Sequence, residues 1–391
     1  MNSVSSIDDD VGSLTSTELA TPIVTPRTSR ANSISQSSSA NLPAGPLNLT
    51  MLSTTSWRQP YPSVGQFAMT ESEEVVATGP NGLFYFLRIR DHAATPWSEP
   101  RPFPNTQVTL NELTVSGLAL YSSPDRPWLH LFCVSGGVLY SFQLTDKKNP
   151  SFIPDTSPPL AGYRVTGSPT IVQNRRPYSN GDCQSLFVPC QSGGLLHTPL
   201  TYLKSHEIEF GAVNHLGTEL GIISTISVIM VDDDIASSNY KTNLVAICIS
   251  GGQLNVIEGS SSYGSWNGKT SRILHPGEVT GNPVLIADSN NGRTTQFDLL
   301  VPSAEGGIFH FIRTESAPNE WHMIGRIAFP QDIPPATCLS FHSRQFSRGK
   351  RELYALIQIG GRLYHIKTSD NGRPWSDARL NPIVYPGPFF E

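Results

Sequence analysis

The feature that most constrains the fold is a pair of small turn residues that recurs six times along the chain. The second residue of each pair is glycine, and the successive intervals are 55, 57, 58, 55 and 54 residues. Gly-Gly and Asn-Gly accept the positive φ that a two-residue hairpin turn requires. Each pair is therefore predicted to be the tip of a β-hairpin. The tips are Asn81-Gly82, Gly136-Gly137, Gly193-Gly194, Gly251-Gly252, Gly306-Gly307 and Gly360-Gly361.

The residues around each tip repeat as well. A short apolar strand follows each turn, and a large aromatic stands 14 to 16 residues past the second glycine. These aromatics are Trp97, Phe152, Phe210, Trp266, Trp321 and Trp375. About 55 residues hold four strands, which is the size of one propeller blade. The similar segments 167–172 and 281–286 are predicted to be innermost strands. We therefore expect an all-β fold, a six-bladed β-propeller with four-stranded blades; seven blades or another all-β arrangement remain alternatives.

Composition supports this fold class and narrows the function. The chain has 32 Gly and 32 Pro but only 15% charged residues, which favours many turns between short strands. The net charge of −5 provides no basic footprint for nucleic acid. No apolar run is long enough to span a membrane, and the N-terminus lacks the pattern of a secretory signal. These features predict a cytoplasmic location and leave secretion open.

Residues 1–55 differ from the rest in being rich in Ser, Thr, Asn and Pro. Such a segment buries too little apolar surface to offset the entropy of ordering, so it is predicted to be a disordered tail. Residues 56–391 are then the propeller. Arg30 precedes Ser33 by three residues and two Thr-Pro pairs occur nearby, a pattern typical of kinase sites. The alternative is a plain spacer.

Three cysteines share one position in successive repeats. Cys133, Cys190 and Cys248 each lie four residues before the second glycine of a turn. A repeated small residue indicates a packed layer, where free cysteine is common. No pair of cysteines has metal-ligand spacing, so neither a metal nor a cofactor is predicted.

The last repeat contains a turn with a recognisable pattern, Ser/Thr-x-Asp-x-Gly-x-x-Trp, at 368–375. It resembles the Asp-box of sialidase-like propellers, which lies between the third and fourth strands of a blade. The resemblance implies a structural role for Asp370, Gly372 and Trp375. The other five repeats keep mainly the aromatic.

From about residue 60 onwards, the period and the predicted architecture also resemble fungal fucose-specific lectins. Those lectins bind sugars in clefts between blades, using an aromatic with Arg and Glu. The resemblance makes Trp97, Trp266, Trp321, Trp375, Arg88, Glu258 and Arg313 candidate binding residues. It also implies that similar clefts recur around the ring. We expect multivalent binding in which only some of the six clefts are competent.

Three functions remain open at this stage. The first is a non-enzymatic carbohydrate-binding propeller with glycans as partners. The second is a protein-interaction scaffold that uses a phosphorylated tail. The third is a glycosidase or another propeller enzyme, for which the sequence names no catalytic residues; the segment 86–91 is only faintly like one arginine element of sialidases.

Overall fold

The structure is a computed structural model. It describes residues 49–51, 65–70, 72–79, 82–88, 97–98, 100–102, 115–122, 129–144, 152–154, 160–173, 183–202, 208–233, 241–262, 265–290, 293–314, 316–329, 333–345, 351–368 and 381–382. The chain divides into two units, 1–45 and 46–391, and every described residue belongs to the second. Most of the predicted tail, and the Asp-box residues Asp370, Gly372 and Trp375, lie outside the described residues. Their roles stay predictions.

The described chain forms 26 strands and one short 3-10 helix, η1 (Thr218–Leu220). The first strand is β1 (Leu49–Met51). Blades 1 to 3 follow in chain order. Their strands are β2 (Phe67–Met69), β3 (Glu74–Gly79), β4 (Gly82–Leu87) and β5 (Arg101–Pro102); β6 (Val115–Ser122), β7 (Leu129–Ser135), β8 (Val138–Leu144) and β9 (Phe152–Pro154); and β10 (Thr170–Gln173), β11 (Cys183–Pro189), β12 (Leu195–Tyr202), β13 (Ile208–Phe210) and β14 (Asn214–Leu216).

Blades 4 to 6 repeat the pattern with longer strands. They contain β15 (Ile223–Asp233), β16 (Lys241–Ser250), β17 (Gln253–Ser262) and β18 (Ser265–Arg272); β19 (Val284–Asn290), β20 (Arg293–Pro302), β21 (Ile308–Thr314) and β22 (His322–Ala328); and β23 (Ala336–Gln345), β24 (Arg351–Ile359), β25 (Arg362–Thr368) and β26 (Asn381–Pro382). In each sheet four strands pair antiparallel in chain order. The predicted six blades of four strands are confirmed, with β10 and β19 as the predicted innermost strands.

Each blade boundary is filled by its own apolar cluster. The six clusters join blades 1 and 2, 2 and 3, 3 and 4, 4 and 5, 5 and 6, and finally 6 and 1. Strand β7 shows why its residues are apolar on both faces. Leu131 and Cys133 pack towards blade 1, while Phe132 and Val134 pack towards blade 3, because side chains alternate along a strand. The cluster between blades 6 and 1 closes the ring.

The innermost strands approach one another so closely that glycine is required. Gly167 has φ 60°, and a Cβ atom there would lie 2.1 Å from the carbonyl oxygen of Ser224 in blade 4. Gly281 has φ 61°, and a Cβ atom there would lie 2.7 Å from the carbonyl oxygen of Thr337 in blade 6. These contacts set the spacing of the blades around the axis.

A polar side chain joins several blades near the axis. The Asn282 amide donates to Ser168 Oγ at 2.9 Å, and it lies 3.3 Å from Gln66 Oε1 and 3.4 Å from Cys338 Sγ. These partners belong to blade 3, the chain entering blade 1, and blade 6. Asn282 is buried, so the hydrogen bonds compensate the loss of water around its amide.

Strand β1 is a feature that the sequence did not predict. It pairs in parallel with β22, the outermost strand of blade 5, with Leu49 opposite Arg326 and Met51 opposite Ala328. Blade 5 therefore has five strands. The part of the chain that the structure describes holds no helix long and apolar enough to cross a membrane.

The cysteine prediction is confirmed for Cys133, Cys190 and Cys248, which are buried and free, as is Cys338. Burial raises the pKa of the Cys133 and Cys248 thiols to about 12, and the thiolate is the reactive form. We expect these thiols to react slowly with iodoacetamide in the native protein and rapidly after unfolding. Alkylation followed by peptide mass spectrometry measures this. A Cys133–Cys190 disulfide in the native protein would contradict both the burial and the register of blades 2 and 3.

Candidate functional site

One position in the repeat carries a charged residue in four of the six blades. It is the sixth residue after the second glycine of each turn, near the far end of the third strand. The residues there are Arg88, Gln143, Leu200, Glu258, Arg313 and Lys367. The side chains at this position do not all point the same way: Leu200 packs into the cluster between blades 2 and 3, whereas Glu258 of blade 4 and Arg313 of blade 5 point to the boundary that their blades share.

Glu258 of blade 4 and Arg313 of blade 5 form an ion pair across the blade boundary. The Arg313 Nη1 atom donates a hydrogen bond to Glu258 Oε1. The Arg313 side chain is only 6% exposed, whereas that of Glu258 is 39% exposed. The pair is thus open to solvent on its carboxylate side. Charge-assisted bonds of this kind are stronger than neutral ones and fix the geometry of both groups.

Two aromatic rings surround the Arg313 guanidinium. Its Cζ atom lies 4.4 Å from the ring centroid of Phe297 and 4.9 Å from that of Trp321. The two centroids are 6.3 Å apart, so the directions to them from Cζ are close to perpendicular. The rings form a corner around the cation instead of a sandwich. Cation–π attraction holds the guanidinium in this corner.

The site retains hydrogen-bonding capacity. Among the residues that the structure describes, the Arg313 Nε atom is buried and has no hydrogen-bond partner. Trp321 is partly exposed beside it and packs against the apolar cluster between blades 4 and 5. We call Glu258, Phe297, Arg313 and Trp321 the 4/5 cleft. It combines an acceptor, a donor and an apolar ring surface.

Two other predicted binding residues come together elsewhere, between blades 6 and 1. Trp97 is 3% exposed and packs edge-on against Phe86 at 5.4 Å and His365 at 6.5 Å. Arg88 Nη1 donates to Glu73 Oε1 at 2.9 Å, within blade 1. Trp97 therefore fills a blade boundary, and the charge of Arg88 is matched inside its own blade.

Trp266 occupies the boundary between blades 3 and 4. Its ring meets His197 edge-on at 5.5 Å and packs against the apolar cluster there. Its Nε1 atom is buried without a partner among the described residues. Trp266 therefore packs between blades 3 and 4 and is not part of the 4/5 cleft. Trp375 lies outside the described residues.

A tyrosine and a glutamate lie close together in the buried part of blade 1, and such a pair could suggest a hydrolase. The Tyr85 hydroxyl lies 3.5 Å from Glu74 Oε1, and Tyr85 is 1% exposed. Burial, with the nearby Glu74 charge, raises the pKa of Tyr85 well above its usual value. The phenolate is therefore disfavoured, and the packing keeps this pair from a substrate. No three His, Cys, Asp or Glu side chains of the described residues come together as a metal site would require.

Solved structures that superimpose on the chain include fungal lectins. An arginine-to-alanine triple variant of AofleA from Arthrobotrys oligospora superimposes with a TM-score of 0.53, at 10% identity, over 83% of this chain and 87% of that one. A variant of the Aleuria aurantia lectin in complex with α-methyl-L-fucoside gives 0.52, at 13% identity, over 85% and 100%. The Aleuria lectin is described as a six-bladed β-propeller.

The chain has the six-bladed propeller fold of these fucose-specific lectins. The resemblance seen in the sequence is thus confirmed for the architecture. At 10–13% identity the likeness shows the fold alone. No family model and no curated protein sequence matches the chain.

The sequence named three of the four residues of the 4/5 cleft but did not bring them together. Counting from the turn glycine would have aligned Glu258 with Arg313, since both stand at the sixth position of their repeats. Phe297 was missed. It lies ten residues before Gly307 on a strand whose described side chains are mostly buried, where an aromatic is typical of the core.

Proposed function

We propose that the protein is a non-enzymatic, carbohydrate-binding propeller and that the 4/5 cleft is its sugar site. The observation that carries the proposal is the Glu258–Arg313 pair beside Trp321, because these groups match the chemistry of a sugar. Ring C–H groups give a pyranose an apolar face that packs on an aromatic ring. Its hydroxyls need both donors and acceptors at the rim.

The charges of the cleft favour a neutral sugar. Glu258 accepts hydrogen bonds from hydroxyl groups, and Arg313 donates to their oxygens. A neighbouring pair of hydroxyls could therefore bridge the two side chains. A carboxylated sugar would bring its charge towards the exposed carboxylate of Glu258, which repels it. Because the Aleuria aurantia lectin is described with α-methyl-L-fucoside bound, this glycoside is the first probe to try.

The proposal is tested with the full chain on a glycan array, together with the variant Glu258→Gln. Glutamine keeps the size and one acceptor oxygen but removes the charge, at a site exposed enough for the fold to tolerate it. Loss of a hydrogen bond to a charged group costs about 1.5–3 kcal/mol, so retention should fall about 10- to 100-fold. Glu320→Gln is the matched control, since the Glu320 side chain is 71% exposed and outside the cleft.

Two results would contradict the proposal. The wild-type protein could fail to bind any glycan on the array, or Glu258→Gln could bind as strongly as the wild type. In the first case a protein that co-purifies with the chain would favour the interaction-scaffold alternative.

A further inference from the structure

We infer that the 4/5 cleft continues outward past Lys269, and that it takes a glycan whose second sugar carries an anionic group, a sulfate or a carboxylate. This inference rests on the proposed function and deepens it, because it assigns a charge to the sugar that follows the one in the cleft. Lys269 is then the residue that determines this preference.

Three neighbouring strands of blade 4 place Val245, Glu258 and Lys269 in one row that faces blade 5. Strand β16 sets Val245 opposite Glu258, and the outermost strand, β18, sets Lys269 opposite Glu258. Residues opposite each other in an antiparallel pair point to the same face and lie about 5 Å apart. Ile273 on β18 agrees with this direction, because it belongs to the cluster between blades 4 and 5 and side chains alternate along a strand. Lys269 is therefore the outer neighbour of Glu258 at this boundary.

Blade 5 has a matching row of Phe297, Arg313 and Trp321. Phe297 on β20 is opposite Arg313 on β21, and Trp321 immediately precedes β22 and lies 4.9 Å from the guanidinium carbon. The inner residues of the two rows, Val245 and Phe297, are apolar and pack in the interblade cluster. At the outer end Trp321 is partly exposed and Lys269 is exposed. A sugar bound to the ion pair therefore has its open side towards the perimeter of the ring, between Lys269 and Trp321.

The groove continues along the outer strands of the two blades. On β18 Ser271 lies on the same face as Lys269, since it is opposite Val256 of the interblade cluster, and it is exposed. On β22 Met323 packs against that cluster and remains partly exposed. A second sugar in this groove meets an apolar surface on one wall and polar groups on the other.

The Lys269 ammonium is available to such a ligand. Within the part of the chain that the structure describes, Lys269 forms no ion pair, and Glu258 is bonded to Arg313 instead. The cleft and its outer rim thus hold two cations and one anion. The carboxylate of Glu258 repels an anion from the inner position, whereas Lys269 attracts one at the outer position. Together these charges select a neutral sugar in the cleft and an anionic group on the next sugar.

Binding of three soluble disaccharides to the immobilised full chain, measured by surface plasmon resonance, tests the inference. The first joins fucose to N-acetylglucosamine, the second carries a sulfate on the N-acetylglucosamine, and the third has glucuronic acid in its place. We expect an anionic disaccharide to bind about two- to fivefold more tightly than the neutral one, the range of an exposed ion pair. The advantage should shrink in high salt, which screens exposed charges. An advantage for either anion supports the inference and identifies the preferred group.

Two variants assign the effect to its residue. Lys269→Gln should bind all three disaccharides with the affinity that the wild type has for the neutral one. Arg272→Gln is the matched control and should keep the anionic advantage. It removes an exposed positive charge from the same strand, but Arg272 points to the other face of β18, because it lies next to Ile273. Both positions are exposed, so we expect both variants to fold.

The outcomes separate the two proposals. Equal binding of the three disaccharides by the wild type, or an anionic advantage that persists in Lys269→Gln, overturns the inference and leaves sugar binding intact. Undiminished binding of the anionic disaccharides by Glu258→Gln also overturns it, because the anion would then be held apart from the cleft. Absence of binding of all three overturns the inference, and together with a blank glycan array it overturns the proposed function.

Discussion

Gly167→Ala is expected to lower the free energy of unfolding by about 3–5 kcal/mol, the largest effect predicted for a single substitution here. Two costs add at this residue. The backbone has φ 60°, where a Cβ atom is unfavourable, and the new methyl group would lie 2.1 Å from the Ser224 carbonyl oxygen. That oxygen belongs to the next blade, so relief of the clash requires blades 3 and 4 to move apart.

Gly251→Ala separates the two costs. Gly251 has nearly the same φ, 56°, but a Cβ atom there meets no heavy atom within 4 Å. This variant should lose only about 1–2 kcal/mol, from the backbone alone. Urea unfolding followed by tryptophan fluorescence compares both variants with the wild type. Equal losses in the two variants would contradict the close packing of the innermost strands.

The second large effect concerns pH and the buried histidine His197. Burial lowers its pKa from 6.5 to about 4 in the folded protein. The hydrogen bonds suit the neutral ring, since Nε2 lies 3.1 Å from Ser185 Oγ and Nδ1 lies 3.4 Å from the Asn214 amide nitrogen. A proton on Nδ1 would face the amide donors of Asn214. The fold therefore favours neutral His197, which is 4% exposed.

The sign of the pH dependence follows from this lowered pKa. Below pH 6.5 the unfolded chain binds a proton that folded His197 does not bind, so the stability falls with decreasing pH. The stabilisation that neutral His197 gives to the folded protein is complete above pH 6.5 and is lost as the pH approaches 4. A shift of this size corresponds to about 3 kcal/mol. His342, whose pKa is also lowered to about 4 by burial, adds to the loss in the same window.

Urea unfolding at pH 7.5, 6 and 4.5 measures this effect. His197→Gln should be less stable than the wild type at pH 7.5, because glutamine loses the ring contacts with Trp266 and Phe187. Its stability should nevertheless change less between pH 7.5 and 4.5 than that of the wild type. His322→Gln, at a half-exposed position, is the control. An unchanged pH profile in His197→Gln would show that the acid sensitivity arises elsewhere.

The apolar packing of the ring and the polar residues at its blade boundaries follow different requirements. Apolar clusters fill all six boundaries and maintain the ring, whereas the polar sixth position varies from blade to blade. Packing requires only suitable apolar volume at each boundary. A sugar site requires particular polar atoms from two blades at once, so a change in either blade removes it.

The sequence by itself determined the number of blades and placed each hairpin tip to within a few residues. The two-residue turns were predicted correctly in blades 2, 4 and 6, whereas Gly82 pairs with Gly79 as the first residue of β4, and the connections in blades 3 and 5 are five residues long. This information is local, because a glycine pair specifies a tight turn within a few residues and the apolar strands flank it directly. The buried cysteines followed from the same period, since equivalent positions of a repeat share one environment. These predictions needed no knowledge of how the blades face one another.

Only the tertiary structure decided which side chains meet across the blades. Glu258 and Arg313 are 55 residues apart, and they pair because two sheets bring the same strand position to one boundary. Phe297 and Trp321 become cleft residues through their contacts with Arg313. Trp97 and Trp266 stand at nearly the same spacing from their turns as Trp321, but they pack between blades. Asn282 and Gln66 lie 216 residues apart and meet only because the ring closes. The repeat fixes where each residue stands in its blade, and the packing of neighbouring blades decides what it touches.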